Sequence, residues 1–96
     1  MNLSFHPEAE AEVTEAVDYY EQVSVGLGQD FANELYLAVE RIAGFPNAWP
    51  IVDPDIRRCL LKRFPYGVLS AQDDDAIFVL AVMHLHREPD YWKHRV

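Results

Sequence analysis

The sequence predicts an α+β fold in which a helical hairpin packs on a mostly antiparallel four-stranded sheet. In the first half of the chain, apolar residues recur at helical spacing in two stretches separated by a glycine-containing turn. In the second half, the apolar residues form short runs that are typical of strands. The expected order is β-α-α-β-β-β, in a single domain covering residues 1–96.

The two helices are predicted from their apolar stripes and from the residues at their ends. A short apolar strand at 3–5 comes first, and Pro7 suits the first turn of the following helix, predicted over 8–24. The acidic residues Glu8, Glu12, Glu15 and Asp18 of this helix fall on the face opposite the apolar stripe. After the VSVGLG turn, the second helix is predicted over 28–43, where a glycine and a proline end it.

The strands of the second half are predicted because the apolar residues no longer recur at helical spacing. Residues 45–54, FPNAWPIVDP, contain too many prolines for regular structure. The segments CLLKRF (59–64) and YGVLSAQ (66–72) are predicted as strands with Pro65 in the turn between them. Three consecutive aspartates then form a reverse turn, and AIFVLAVMHLH (76–86) is predicted as the longest strand, central and covered on both faces.

The formal charge of −8 is distributed unevenly along the chain. Residues 1–40 contain nine acids and no Lys or Arg, whereas residues 41–96 contain seven acids and eight bases. Phosphate backbones would be repelled by the first part, so direct nucleic-acid binding is not expected. The one local basic run without an intervening acid consists of Arg57, Arg58, Lys62 and Arg63.

The composition indicates a cytoplasmic protein that acts away from membranes. A single cysteine, Cys59, cannot form an internal disulfide, and the N-terminus lacks the basic and apolar regions of a signal peptide. No apolar run approaches the roughly 20 residues needed to span a bilayer. His84 and His86 have no evident third ligand, so no metal and no other cofactor is expected.

The segment HLHREPDYW, residues 84–92, contains the side chains most suited to chemistry. His84 or His86 could transfer protons, Arg87 could hold a phosphate and Tyr91 could serve as a relay. The same residues could also be structural. On a regular strand the two histidines would share a face with Leu80 and Val82, and an aromatic pair at the C-terminus can cover a core. Both interpretations remain open at this point.

Several motifs together resemble the RelE/ParE superfamily of type II toxins over essentially the whole chain. The sequence has YYE before a GLG turn, RFPY entering the next strand, and H-x-x-R-x-P-x-x-W near its end. The pattern is closer to the ParE-like branch, which includes plasmid stabilisation proteins, than to the ribosome-dependent nucleases. One departure is Ser70, where the family often has an aromatic residue.

The resemblance implies a bacterial toxin that is neutralised by a cognate, ParD-like antitoxin. ParE-type toxins poison DNA gyrase by binding, whereas RelE-type toxins cut mRNA in the ribosome. The acidity of this chain favours the gyrase-binding toxin, with no bond-making of its own. The alternatives are a RelE-like mRNA endonuclease, for which the catalytic candidates are His84, His86, Arg87 and Tyr91, and a degenerate toxin that only binds its antitoxin.

The expected contact residues follow from these considerations. The target-binding candidates are Arg57, Arg58, Lys62, Arg63, Arg87, Tyr91 and Trp92. The antitoxin is expected to cover apolar surface on the hairpin and the sheet edge, with an amphipathic helix in a groove. The antitoxin-binding candidates are Tyr20, Leu35, Tyr36, Val39 and Leu61.

Overall fold

A computed structural model describes residues 2–96 and contains two helices and five strands. The first part of the chain forms β1 (Asn2–Phe5), α1 (Pro7–Val23) and α2 (Leu27–Gly44). The second part forms β2 (Ile51–Asp53), β3 (Ile56–Leu60), β4 (Tyr66–Asp73) and β5 (Ala76–His84). A single 3₁₀ turn, Lys93–Arg95, ends the chain. Neither helix in residues 2–96 has a stretch that is both apolar and long enough to cross a membrane.

The five strands form one sheet in the order β1-β5-β4-β3-β2. β1 runs parallel to β5, and every other neighbouring pair is antiparallel. The predicted α+β class, the helical hairpin and the mostly antiparallel sheet are confirmed. The predicted number of strands was wrong, because Ile51–Asp53 in the proline-rich segment forms an edge strand. An edge strand tolerates flanking prolines because one side of its backbone needs no ladder partner.

The strand boundaries also differ from the sequence prediction. The strand predicted over 59–64 is β3, Ile56–Leu60, and residues 61–65 instead form a turn into β4. The Glu34 carboxylate on α2 draws this turn inward, since it accepts hydrogen bonds from the backbone N–H groups of Lys62 and Arg63. These groups are therefore engaged by a side chain rather than by a neighbouring strand.

The strand predicted over 76–86 ends at His84, two residues early. The next residues turn because the Arg87 N–H donates to the His84 carbonyl at 3.0 Å. The His86 N–H donates to Nδ1 of the His84 side chain at 3.1 Å, which fixes the same turn. Residues 85–96, called the C-terminal segment below, then leave the sheet.

The sheet has an apolar core on each face. The helical hairpin covers one face, where Phe31 and Ile42 of α2 pack against residues such as Val68 and Val82 of the sheet. Trp92 of the C-terminal segment, 3% exposed, packs on the opposite face. As predicted, β5 lies centrally, between β1 and β4, and most of it is buried.

A β-bulge in β5 changes the direction of its side chains. Leu69 pairs with Ala81 and Ser70 pairs with Val79, so Leu80 has no partner in β4. The extra residue places Leu80 in the core beneath Trp92, whereas Val82 packs on the helix side. The expectation that Leu80 and Val82 share a face was therefore wrong, because it assumed an unbroken period of two.

The turn between the helices depends on two glycines with different roles. Gly26 precedes α2 with φ of 89°, in the left-handed region that favours glycine. The sequence analysis placed Gly28 in the turn. In the structure, Gly28 instead lies buried in the first turn of α2. The Glu21 carboxylate accepts hydrogen bonds from the N–H groups of both glycines, which fixes the end of α1 against the start of α2.

Side chains close the edge of β5 where β1 ends. β1 stops at Phe5, opposite Val79, so the following residues of β5 have no strand on that side. There the Glu12 carboxylate accepts a hydrogen bond from the Val82 N–H at 3.0 Å. Arg95 donates to the Leu80 carbonyl at 3.2 Å. These bonds satisfy backbone groups that an open edge would leave free for pairing with another chain.

The same two side chains form a buried ion pair that ties the C-terminal segment to α1. Nη1 of Arg95 lies 2.8 Å from Oε1 of Glu12, and their side chains are 6% and 12% exposed. The Tyr91 hydroxyl also donates to the Glu12 carboxylate. Glu12, Tyr91 and Arg95 are called the C-terminal clasp below. Glu8, half-exposed, adds a peripheral contact to Arg95.

We predict that Gly28→Ala destabilises the helical hairpin. An added Cβ would lie 2.6 Å from the Val17 carbonyl oxygen, a backbone atom that moves only if the helices separate. The expected loss is about 1–3 kcal/mol in the free energy of unfolding, measured by urea denaturation. Gly44→Ala is the matched control, since nothing lies within 4 Å of its added Cβ and it should cost nothing. Equal midpoints for the two variants would contradict the close approach of α1 and α2.

We predict that Glu12→Gln destabilises the whole chain by about 3 kcal/mol, because it leaves the buried Arg95 guanidinium without its main counter-charge. Thermal and urea denaturation measure the effect. Glu8→Gln is the control: it also removes a carboxylate bonded to Arg95, but one that is half-exposed, so its effect should be much smaller. Similar losses in both variants would show that burial of the Glu12–Arg95 pair does not matter.

Candidate partner-binding surface

The candidate site residues of β5 meet α1 in an open cleft of about 250 Å³. α1 contributes acidic and aromatic side chains, and the ends of β4 and β5 contribute the opposite wall. The residues that line the cleft are Glu12, Glu15, Ala16, Tyr19, Tyr66, Val82, His84 and Arg87. Two of the four predicted catalytic candidates, His84 and Arg87, therefore share one cleft.

The two histidines stabilise the turn that ends β5. The His84 ring is half-buried, and its centroid lies 5.1 Å from the Tyr66 ring in an edge-to-face arrangement. Its Nδ1 accepts the His86 N–H, so only Nε2 remains for other contacts. His86 is exposed, with its ring centroid 5.1 Å from that of His84. His84 thus has a structural role in the free chain, whereas His86 is free to contact a partner.

Tyr91 is held as a hydrogen-bond donor in the C-terminal clasp. Burial raises the pKa of its phenol, and the adjacent Glu12 carboxylate raises it further. A phenol with a raised pKa keeps its proton at neutral pH, so Tyr91 is poorly suited to act as a base. Its proton is also directed at Glu12 rather than into the cleft.

Arg87 is an exposed cation at the start of the C-terminal segment. Its guanidinium carbon lies 4.0 Å from the centroid of the Tyr91 ring, within the range of a cation–π contact. The clasp holds that ring in place, and Arg95 approaches it as well, with 5.0 Å between its guanidinium carbon and the ring centroid. The position of Arg87 therefore depends on Tyr91, while its charge stays accessible to a partner.

Trp92 lies in the core rather than on a binding surface. It is 3% exposed, and its indole N–H donates to the Pro89 carbonyl at 2.9 Å. In the free chain its side chain covers the sheet beneath it. Of the predicted target-binding residues in the C-terminal segment, Arg87 is thus the accessible one, and Tyr91 is half-buried.

The basic run of residues 57–63 does not form one continuous patch. Arg57 and Arg58 are consecutive on β3 and point to opposite faces of the sheet. Arg57 faces the helix side, whereas Arg58 lines a depression with Met83 and Trp92 on the other face. Lys62 and Arg63 are exposed in the turn beside α2, where Arg63 lies 3.5 Å from Asp30. A partner therefore meets these four cations in three separate places.

Most of the predicted antitoxin-binding residues lie inside the molecule. Leu35, Val39 and Leu61 are 6–7% exposed and belong to the core of the free chain. Tyr20 is half-buried and stacks on Phe31 with 5.5 Å between ring centroids. Tyr36, 65% exposed, is the candidate on the surface, next to Leu37 at 52%. The apolar stripe of α2 thus serves mainly the core.

The sequence analysis missed Glu12 and Arg95, the two residues that fix this surface. Glu12 was placed on the face of α1 opposite the apolar stripe, although it lies three residues after Ala9 and four before Ala16, both of which are buried. That position, at the border of the apolar stripe, is the sequence feature that could have indicated it. Nothing local indicated Arg95, whose partner Glu12 lies 83 positions away.

The described part of the chain shows no arrangement suited to a metal. Within residues 2–96, no group of three or more His, Cys, Asp or Glu side chains could hold a metal ion. Cys59 is buried, and its pKa is raised by that burial despite the nearby Arg41, so it is a poor ligand and nucleophile.

Comparisons with known proteins agree with this architecture. Residues 3–89 match the family described as "ParE toxin of type II toxin-antitoxin system, parDE". A solved structure described as "Chromosomal ParDE TA system from P. aeruginosa" superposes with a TM-score of 0.66 and 17% identity, over 90% of this chain and 97% of that chain. At this identity the likeness concerns the fold. A comparison with curated proteins gives no significant match. Since the family match spans nearly the whole sequence, the chain belongs to the ParE toxin family of type II toxin–antitoxin systems.

Proposed function

We propose that this protein inhibits DNA gyrase by binding, in the cytoplasm, and that a cognate antitoxin neutralises it. The observation that carries the proposal is that the proton-transfer candidates make structural contacts, whereas Arg87 is exposed. His84 and Tyr91, two candidates for proton transfer, are engaged in turn and clasp contacts. Arg87 is held on the surface by the Tyr91 ring. Such an arrangement suits recognition of another protein better than acid–base chemistry.

The charge distribution supports a protein target. Catalysis on RNA requires an approach to phosphates, and a chain of formal charge −8 would be repelled. The cations in the basic run of β3 and the following turn are divided between three places, so they do not form a continuous track for a nucleic-acid backbone. A protein surface tolerates local patches of either sign, and single exposed arginines are common anchors in protein interfaces.

An antitoxin partner is supported by the family and by exposed apolar residues on the hairpin. The similar structure from P. aeruginosa is described as a ParDE system. Here Tyr36 and Leu37 are adjacent on the outer side of α2 and more than half exposed. Apolar side chains in such a position are stabilised by a covering partner. An amphipathic helix of the antitoxin would provide that cover.

The target is tested by inducible expression of the chain with and without its neighbouring small gene. Growth arrest with a DNA-damage response, relieved by the neighbour, is the expected result. Purified protein should inhibit supercoiling by gyrase in the absence of any nuclease activity. Arrest accompanied by cuts at defined codon positions in mRNA would instead support the ribosome-dependent nuclease. Binding to the neighbour's product without any arrest would support a degenerate toxin.

We predict that Arg87→Ala weakens gyrase inhibition about tenfold, as expected for loss of one exposed arginine anchor. His86→Gln and His84→Gln should have much smaller effects on inhibition. The supercoiling assay measures the inhibition, and circular dichroism with antitoxin binding verifies that each variant is folded. Truncation after Pro89 is not a clean test, since it removes Trp92 from the core and Arg95 from the clasp. Loss of toxicity in either histidine variant, with folding and antitoxin binding intact, would contradict the binding mechanism.

A further inference from the structure

A second cavity lies towards the other end of β4 and β5 from the α1 cleft. It has a volume of about 200 Å³ and opens between the C-terminal end of α2, the loop before β2, and the sheet. Ile42 and Ile77 form part of its apolar wall. The polar lining consists of Asn47, Asp55, Arg57, Ser70 and Gln72. None of these polar residues lines the cleft around Arg87, so the cavity and the cleft are separate sites.

Arg57 is held in a fixed orientation at this cavity. Its Nη1 donates to the carbonyls of Trp49 at 2.7 Å and Asn47 at 3.2 Å. These two bonds fix the plane of the guanidinium. Within residues 2–96, Nε and Nη2 of Arg57 have no acceptor, and the group has no carboxylate partner. A half-buried cation with a free pair of donors is therefore available at the cavity wall.

Ser70 is the second donor that is available in the cavity. It is the directly paired residue of Arg57 across β3 and β4, so both side chains project from the same face of the sheet. Ser70 as a residue is only 6% exposed, and its side chain lines the cavity, from which its hydroxyl is accessible. The small serine side chain fills little of the cavity, which leaves space for a small bound group.

The free donors match a carboxylate. The Nε and Nη2 edge of a guanidinium binds the two oxygens of a carboxylate through parallel hydrogen bonds. A doubly charged phosphate would be repelled more strongly, because the chain has a formal charge of −8 and Asp55 also lines the cavity. The apolar wall formed by Ile42 and Ile77 would contact the short hydrocarbon part of the ligand.

We propose that the Arg57–Ser70 cavity binds a carboxylate group, supplied by a small free acid or by an acidic side chain of a bound partner. Arg57 supplies the charge and a bidentate contact, and Ser70 supplies a further hydrogen bond. The proposal does not depend on gyrase being the target.

The test is an NMR titration of the folded chain with sodium acetate, with sodium chloride at equal ionic strength as the reference. Saturable shifts of the Arg57 Nε–H and of the Ser70 amide, with a dissociation constant on the order of millimolar, are expected for so small a ligand. Arg57→Gln should abolish the saturable shifts, and Ser70→Ala should weaken binding about fivefold. Arg58→Gln, on the other face of the same strand, is the matched control and should bind as the unchanged chain does.

Two further measurements test where the carboxylate comes from and whether Asp55 itself occupies Arg57. Tighter binding of glutamate blocked at both ends would identify an acidic side chain as the natural ligand, and tighter binding of acetate would identify a free acid. Asp55→Asn should strengthen acetate binding, since it removes a repelling charge. Acetate binding seen only in Asp55→Asn would overturn the proposal, because Asp55 itself would then occupy Arg57. Shifts that chloride reproduces, or that persist in Arg57→Gln, would overturn it as well.

Discussion

The buried ion pair between Glu12 and Arg95 is the interaction on which the rest of this structure depends. β1 has only four residues, so β5 continues past it with an open edge. The two side chains close that edge through the Val82 N–H and the Leu80 carbonyl, and they neutralise each other while doing so. A charged pair with so little exposure is tolerated only when its remaining hydrogen-bonding capacity is used. Here the Tyr91 hydroxyl and the peripheral Glu8 use much of that capacity.

The candidate surface is a consequence of this pair. Arg95 anchors the C-terminal segment to α1, which in turn positions the Tyr91 ring beneath Arg87 and holds Trp92 over the second core. The β-bulge at Leu80 fits the same arrangement, since it turns Leu80 towards Trp92 and leaves Val82 and His84 on the side of α1. A partner that binds Arg87 therefore contacts a residue whose position is set by contacts from α1, β5 and the C-terminus together.

The sequence predicted those parts of the fold that follow from local periodicity. Both helices and the central place of β5 were correct, because apolar spacing reports which face of an element is buried. The β2 strand, the early end of β5 at His84 and the bulge were not predictable in this way. The early end of β5 and the 61–65 turn depend on particular side-chain acceptors, Nδ1 of His84 and the Glu34 carboxylate. The clasp is the extreme case, since its partners are separated by almost the whole chain.

Periodicity also could not separate core residues from docking residues in the candidate site. Leu35, Val39 and Leu61 have the composition expected of an apolar groove, yet they complete the core of a small domain. A chain of 96 residues has few apolar side chains to spare, so those that lie in regular stripes are used internally. What remains exposed lies outside those stripes, at Tyr36 and Leu37 of α2, at Arg87 after β5, and at the cavity that Ser70 and Arg57 line. In this protein the accessible side chains are therefore those that the apolar stripes of the helices and strands do not use for the core.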